Sequence, residues 1–163
     1  ENFLPKNKKY SKVGSIYEIP FNMISFLENI FCRVQKIKSA CLIIDYAKNN
    51  NFGNSLKSIK NHKIINPLKR IGNTDISSHV NFNLIKKISQ KFNLIIHGPV
   101  SQRKFLIKLG ILYRSEMLIR NANNKQKKML IKGLDFLINE NKMGKIFNVI
   151  SISNKKVNNL IGF

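Results

Sequence analysis

Apolar residues recur along this chain in two rhythms, one with helical spacing and one running as short, nearly uninterrupted blocks. After a polar, lysine-rich stretch over 1–19, read as a loose basic segment, Pro20 suits a first helical turn. Phe21, Ile24, Leu27 and Phe31 then fall at helical intervals. ACLIID, ending at Asp45, is a continuous apolar block and predicts a strand covered on both faces in a mainly parallel sheet. From Tyr46 to Val80 the periodicity is lost among Asn, Gly and Pro, so 46–80 is expected to be a long irregular loop. Asn81 is placed to cap a helix carrying Leu84, Ile85 and Ile88 and ending near Lys91. LIIH (94–97) predicts a second buried strand. Ser101 can cap a helix holding Phe105, Leu106 and Leu109, which Gly110 would stop.

A longer helical region is expected from Arg114 to about Asn141, broken around Ala122 to Asn124, with Met129, Leu130, Leu134, Leu137 and Ile138 as its buried face. The last block, KIFNVISIS, is apolar on both alternating sets, so it requires cover on both sides. The pattern as a whole is that of an open α/β layer.

Composition sharpens this picture in two ways. With 163 residues and 43% hydrophobic content the chain can bury a core of one domain, and no apolar run approaches the roughly 20 residues that span a bilayer. Cys32 and Cys41 sit in apolar surroundings and read as small buried hydrophobes in a reducing compartment rather than as a disulfide framework. The charge is extreme, with 29 Lys+Arg against 8 Asp+Glu and a net charge of +21. Such a balance favours non-specific, salt-sensitive attraction to polyanions. The lysines are spread through every segment, however, beside abundant Asn and Ile that share adenine- and thymine-rich codons. Aromatic residues do not interleave with the basic clusters as in RNA-binding modules, so no specific nucleic-acid partner is expected.

Other chemistries lack their residues. There is no G-x-S-x-G and no P-loop, and the three histidines and two cysteines show no paired metal-ligand spacing. The dense region is 53–106, where Gly53, Leu56, His62, Pro67 and Leu68 are followed by Gly72, Asp75, His79, Val80 and Phe82. His97-Gly98-Pro99, Gln102, Phe105-Leu106, Gly110-Ile111, Met143-Gly144 and Phe147 come after them. Together with the CLIIDY strand, this ordered set resembles the carboxyl-terminal half of the MidA family of S-adenosylmethionine-dependent methyltransferases, which includes a mitochondrial complex I assembly factor. Ala47, Ser77 and Asn81 depart from the family pattern, in which a glycine, a threonine and an acid stand at those places.

The resemblance implies the last part of a Rossmann-like class I methyltransferase sheet, about three strands with the final one antiparallel between the two before it, plus flanking helices and a long irregular insertion. On that basis 20–163 is the carboxyl-terminal half of the domain and 46–80 a substrate-side loop. The glycine-rich turn that would grip S-adenosyl-L-methionine is not found before the Asp45 strand, and the sequence opens on Glu1, so the chain is expected to be part of a longer domain.

The activity implied is methylation of a protein arginine, with a respiratory complex I subunit as a candidate partner. A homo-oligomer is compatible with it. The location implied is the bacterial cytoplasm or the mitochondrial matrix. Carboxylates hold a guanidinium best, so Asp45 and Asp75 are the candidate catalytic residues, though each also suits a local turn or cap. Tyr46, His62, His79 and Gln102 are candidate substrate-binding residues; the histidines also suit structural hydrogen bonds, and Gln102 a helix cap. A non-catalytic partner-binding remnant and a basic RNA-binding protein are the alternatives.

Overall fold

The computed structural model describes residues 12–48, 52–61, 63–69, 71–155 and 160–163. In chain order the elements are α1 (Phe21–Lys36), β1 (Ala40–Lys48), β2 (Lys57–Lys60), β3 (Lys63–Ile65), β4 (Asp75–Ser77), β5 (Val80–Asn81) and α2 (Phe82–Lys91). They continue with β6 (Ile95–Ser101), α3 (Gln102–Lys108), α4 (Ile111–Arg120), α5 (Asn124–Ile138), α6 (Met143–Ile146) and β7 (Phe147–Ser153). Helix α1 forms because Ile24, Leu27, Phe31 and Val34 make one buried stripe, while Arg33 and Lys36 place positive charge on its carbonyl end. Phe21, expected on that stripe, sits on the first turn and is 57% exposed. Helix α2 starts where predicted, with the Asn81 side chain accepting from the Leu84 amide at 3.1 Å.

The main sheet has the order β5-β1-β7-β6. β7 runs antiparallel to both neighbours, Ile43 lying opposite Ile150 and Cys41 opposite Ile152 on one side and Ile96 opposite Ile152 on the other. The antiparallel insertion of the last strand is therefore present as expected. On one face α1 and α2 close a core of Leu27, Phe31, Phe82, Ile85, Ile88, Ile150 and Ile152. On the other face α3 covers Val149, and Phe105 packs edge-on against Phe163 with ring centroids 5.3 Å apart.

Several expectations are corrected. β1 is covered on one face only: its alternate residues Leu42, Ile44 and Tyr46 are 52%, 44% and 41% exposed. Its composition is that of a doubly covered strand, but α3 and α6 pack over β6 and β7 and do not extend across it. β5 meets β1 only at Ala47 and Lys48, so among the described residues the outer edge from Ala40 to Tyr46 has no strand beside it.

The reading of 46–80 as wholly irregular gives way to a second, three-stranded antiparallel sheet of order β3-β2-β4. Its hairpin turns at Asn61, whose positive φ of 48° is a conformation asparagine tolerates better than most residues. The strands are too short and too rich in lysine to show a clean two-residue alternation. The basic amino-terminal segment is not loose where it is described: Tyr17 bridges Phe52 and their rings stack edge-on at 4.9 Å.

The helical region breaks where predicted, through a capping box in which Asn123 accepts from the Gln126 amide and the Gln126 side chain accepts from the Asn123 amide, each at 2.9 Å. The face predicted for it is not buried. Neither α4 nor α5 has a buried residue, and Met129 is 65% exposed.

The turn after α5 explains Met143-Gly144. A Cβ on Gly144 would lie 2.6 Å from the Ile138 carbonyl carbon and 2.8 Å from the Asn139 oxygen, backbone atoms that cannot swing aside. Gly144→Ala should therefore destabilise the protein by about 1–3 kcal/mol in denaturant melts. The bare face of β1 makes the opposite prediction. Leu42→Lys with Ile44→Lys should leave the melting midpoint almost unchanged and shift size-exclusion profiles from aggregate toward monomer. Loss of the folded signal in that double variant would show that these side chains are core.

Candidate functional site

The carboxyl end of β1 meets the amino end of α1, the start of the small sheet and the parallel strand β5. A cleft of about 340 Å³ opens there, lined by Glu18, Pro20, Ser55, Leu56, His79 and Asn81 among others. Its organising group is the Glu18 carboxylate. Glu18 Oε1 accepts from the Ser55 amide at 2.7 Å, and the Ser55 hydroxyl lies 2.9 Å from Oε1 and 2.7 Å from Oε2, within reach of either oxygen. The Ser55 hydroxyl oxygen in turn accepts from the His79 amide at 3.1 Å. Three chain segments remote in sequence are thus clasped at one buried serine, 4% exposed. On the same side, Lys48 donates to the Phe52 carbonyl, and the Gly53 amide reaches the Ile16 carbonyl at 3.0 Å.

Burial alone would raise the pKa of Glu18. Donation from the Ser55 hydroxyl and the Ser55 and Leu56 amides, with the nearby Lys48 charge, outweighs burial and holds the carboxyl below its usual range. The cleft therefore keeps a fixed negative charge in a chain whose net charge is +21.

The predicted site residues are scattered by comparison. His79 lines the cleft. Asp45 does not; it lies within β1 opposite Asn148, short of the strand's end at Lys48, and its carboxylate accepts from the Tyr46 amide at 2.7 Å. Tyr46 lies on the bare sheet face, its ring 4.2 Å from that of Phe147. Asp75 sits in β4 opposite Ile59, exposed in the small sheet. Gln102 is buried and donates to the Leu137 carbonyl at 2.8 Å, serving the open carbonyl end of α5. His62 lies outside the described residues. Among the described residues no group of three His, Cys, Asp or Glu could hold a metal ion.

Sequence reading missed Glu18 and Ser55. The available signal was an acid two residues before a helix-starting proline in an otherwise lysine-rich stretch, and a serine directly after a Gly-Asn turn.

Parallel strands with helices on both faces, an antiparallel strand inserted among them and a charged cleft at the strands' carboxyl ends define part of a doubly wound α/β ligand-binding domain. Residues 1–100 match the sequence profile of a family described as "Putative S-adenosyl-L-methionine-dependent methyltransferase", and the chain belongs to that family. The mitochondrial protein arginine methyltransferase NDUFAF7 of Danio rerio is 30% identical over 128 residues, 78% of this chain and 30% of that protein. The Homo sapiens protein of the same name is 27% identical over 127 residues, 77% of this chain and 29% of that one.

Among solved structures, a protein of Burkholderia thailandensis superposes with a TM-score of 0.72 at 21% identity, over 85% of this chain and 38% of its own. A second structure from that organism, bound to S-adenosyl-homocysteine, gives 0.68 at 20% identity over 85% and 37%. The chain thus spans about 30% of the length of the curated relatives it matches, and the two solved structures share its fold.

The described residues include two strand-to-helix junctions beside the main sheet. Their strand-to-helix junctions, Asn81 into α2 and Ser101 into α3, carry no glycine-rich turn, and Gln102 at the start of α3 is occupied by the end of α5. They offer an anionic cleft instead of a cradle of bare amides.

The Glu18 clasp has a pH signature. Because its folded pKa lies below the unfolded value, its contribution to stability is complete above the ordinary glutamate pKa of about 4.3 and is lost as pH falls through the folded value. Glu18→Gln should therefore lower the urea midpoint at neutral pH and flatten its decline between about pH 5 and pH 3. Parallel curves for the variant and the parent would remove Glu18 from this role.

Proposed function

We propose that this chain is the acceptor-side part of an S-adenosyl-L-methionine-dependent protein arginine methyltransferase. The observation that carries the proposal is the ionised Glu18 carboxylate, held by Ser55 in a cleft at the carboxyl end of β1, in a chain of methyltransferase family membership. The names of the NDUFAF7 relatives support arginine as the acceptor and the mitochondrion as the site of action in a eukaryotic cell. A subunit of respiratory complex I is the partner the family resemblance suggests.

In this reading the cofactor supplies an electrophilic methyl group from its sulfonium. The protein's work is positioning, because transfer to a nitrogen held in line needs little acid or base assistance. Glu18 balances the positive charge of the entering guanidinium, and a carboxylate suits the fork of guanidinium donors. His79, exposed at the cleft mouth and fixed through its amide by Ser55, bounds the acceptor side chain. Asp45 and Asp75 are assigned to local structure.

The reading is tested by supplying methyl-labelled cofactor and protein extract to a polypeptide that contains this chain together with the remaining length of its relatives. Label should appear as methylarginine after acid hydrolysis. Glu18→Gln should cut the rate by at least about tenfold, more through KM than kcat, while Asp75→Asn leaves it within about twofold. Label on lysine or on carboxyl groups, or an unchanged rate in Glu18→Gln, would overturn the assignment.

A further inference from the structure

The core beneath α1 and α2 contains no residue of α4 or α5, yet these helices present large apolar side chains to solvent. Along α5, Ile131, Leu134 and Ile138 stand three and seven residues apart and therefore form one stripe. The stripe floors an open groove of about 480 Å³ between α5 and Arg103 of α3, and Ile131 is 56% exposed within it.

The two ends of the groove differ in charge. At the carboxyl end every charge is matched: Arg103 lies 3.6 Å from Glu140 and donates to the Ile138 carbonyl at 2.8 Å, and Asp135 is held by Lys142 and Asn139. At the amino end Lys127 and Lys128, four and three residues before Ile131, share its face. Among the described residues neither forms an ion pair with a carboxylate. The charged residues that line the groove are thus paired among themselves, and the cations nearest its amino end, Lys127 and Lys128, stand on the same helix face just before its lining begins.

We propose that this groove docks an amphipathic helix of a partner protein, with apolar side chains packed on Ile131, Leu134 and Ile138 and acidic residues facing Lys127 and Lys128. A helix laid along α5 matches a straight stripe with charge at one end. A membrane surface would not: the far end of the stripe holds two ion pairs that a headgroup layer would have to cover. The inference concerns docking only and does not rest on the methyltransferase reading.

The probe is a fluorescent synthetic helix of about four turns, with leucines at i, i+3, i+4 and i+7 and glutamates beside them. A scrambled peptide of equal composition and a version with lysine in place of glutamate are the comparators. The acidic amphipathic peptide should bind saturably and the comparators should not. Ile131→Glu, and separately Lys127→Glu with Lys128→Glu, should each weaken binding by at least about tenfold. Met129→Glu, on the opposite side of α5, should leave binding unchanged, and circular dichroism should show all variants folded.

No saturable binding, equal binding of the scrambled peptide, or indifference to Ile131→Glu would each overturn the proposal. Binding to phosphatidylserine vesicles that Ile131→Glu abolishes would assign the face to a membrane instead. Loss of peptide binding in a polypeptide extended to the relatives' length would show that the groove is covered by its own chain.

Discussion

The antiparallel insertion of β7 between β1 and β6 is the constraint on which the rest of this structure depends. Val149, Ile150 and Ile152 are all fully buried, and they lie on both faces of the strand. One set locks α1 and α2 to the sheet; the other receives α3 and Phe105. The strand nearest the end of the chain thus joins two layers that begin far from it in sequence. β1 depends on β7 for its hydrogen-bond ladder from Ala40 to Tyr46, because β5 meets it only at its last two residues. Truncating Ile150 would cost about 2–5 kcal/mol, a large share of the stability of a domain this size.

The position of the cleft follows from that arrangement. With β1 fixed by β7, its carboxyl end is carried to the amino end of α1, and the chain on either side is drawn together by Glu18, Ser55 and the His79 amide. The clasp satisfies buried polar groups that irregular segments would otherwise leave bare. The same interaction gives the cleft its charge.

Much of the fold was legible because several signals agreed locally. Asn81 and Ser101 were readable as caps because polar side chains stand directly before helical apolar spacing, and both accept the predicted kind of bond. The antiparallel last strand came from family resemblance, since alternation in KIFNVISIS shows only that both faces want cover. The small sheet was not readable, because strands such as KSIK and KII are too short for a period to emerge. The exposure of α5 was not readable either: helical spacing of Leu130, Leu134 and Ile138 marks a face but not what lies against it.

For the site, reasoning from residue type favoured Asp45 and Asp75, carboxylates in recognisable motifs. What distinguishes Glu18 is a long-range contact, 37 residues away in sequence, and no local pattern encodes that.

A chain of net charge +21 repels itself, and its few carboxylates carry structural weight beyond their individual contacts. Glu28 meets Lys91 at 3.6 Å and ties α1 to α2; Glu140 meets Arg103 and ties α3 to the turn after α5; Asp135 holds Lys142 and Asn139 in that same turn. Each exposed pair alone is worth only about 0–1 kcal/mol. Their placement still matters, because removing an acid from this background subtracts an attraction and leaves a cation facing other cations.

Glu28, Asp135 and Glu140 therefore sit where elements join, and Glu18 in the cleft does the same with a buried partner added. That addition distinguishes Glu18: donation from the buried Ser55 fixes its geometry and keeps it ionised, whereas Asp135, also held below its usual range, owes that to Lys142 and Asn139 at the surface. A binding group must hold its charge and direction before the ligand arrives. Among the acids placed in the described structure, Glu18 is the one that lines the cleft beside the carboxyl end of β1.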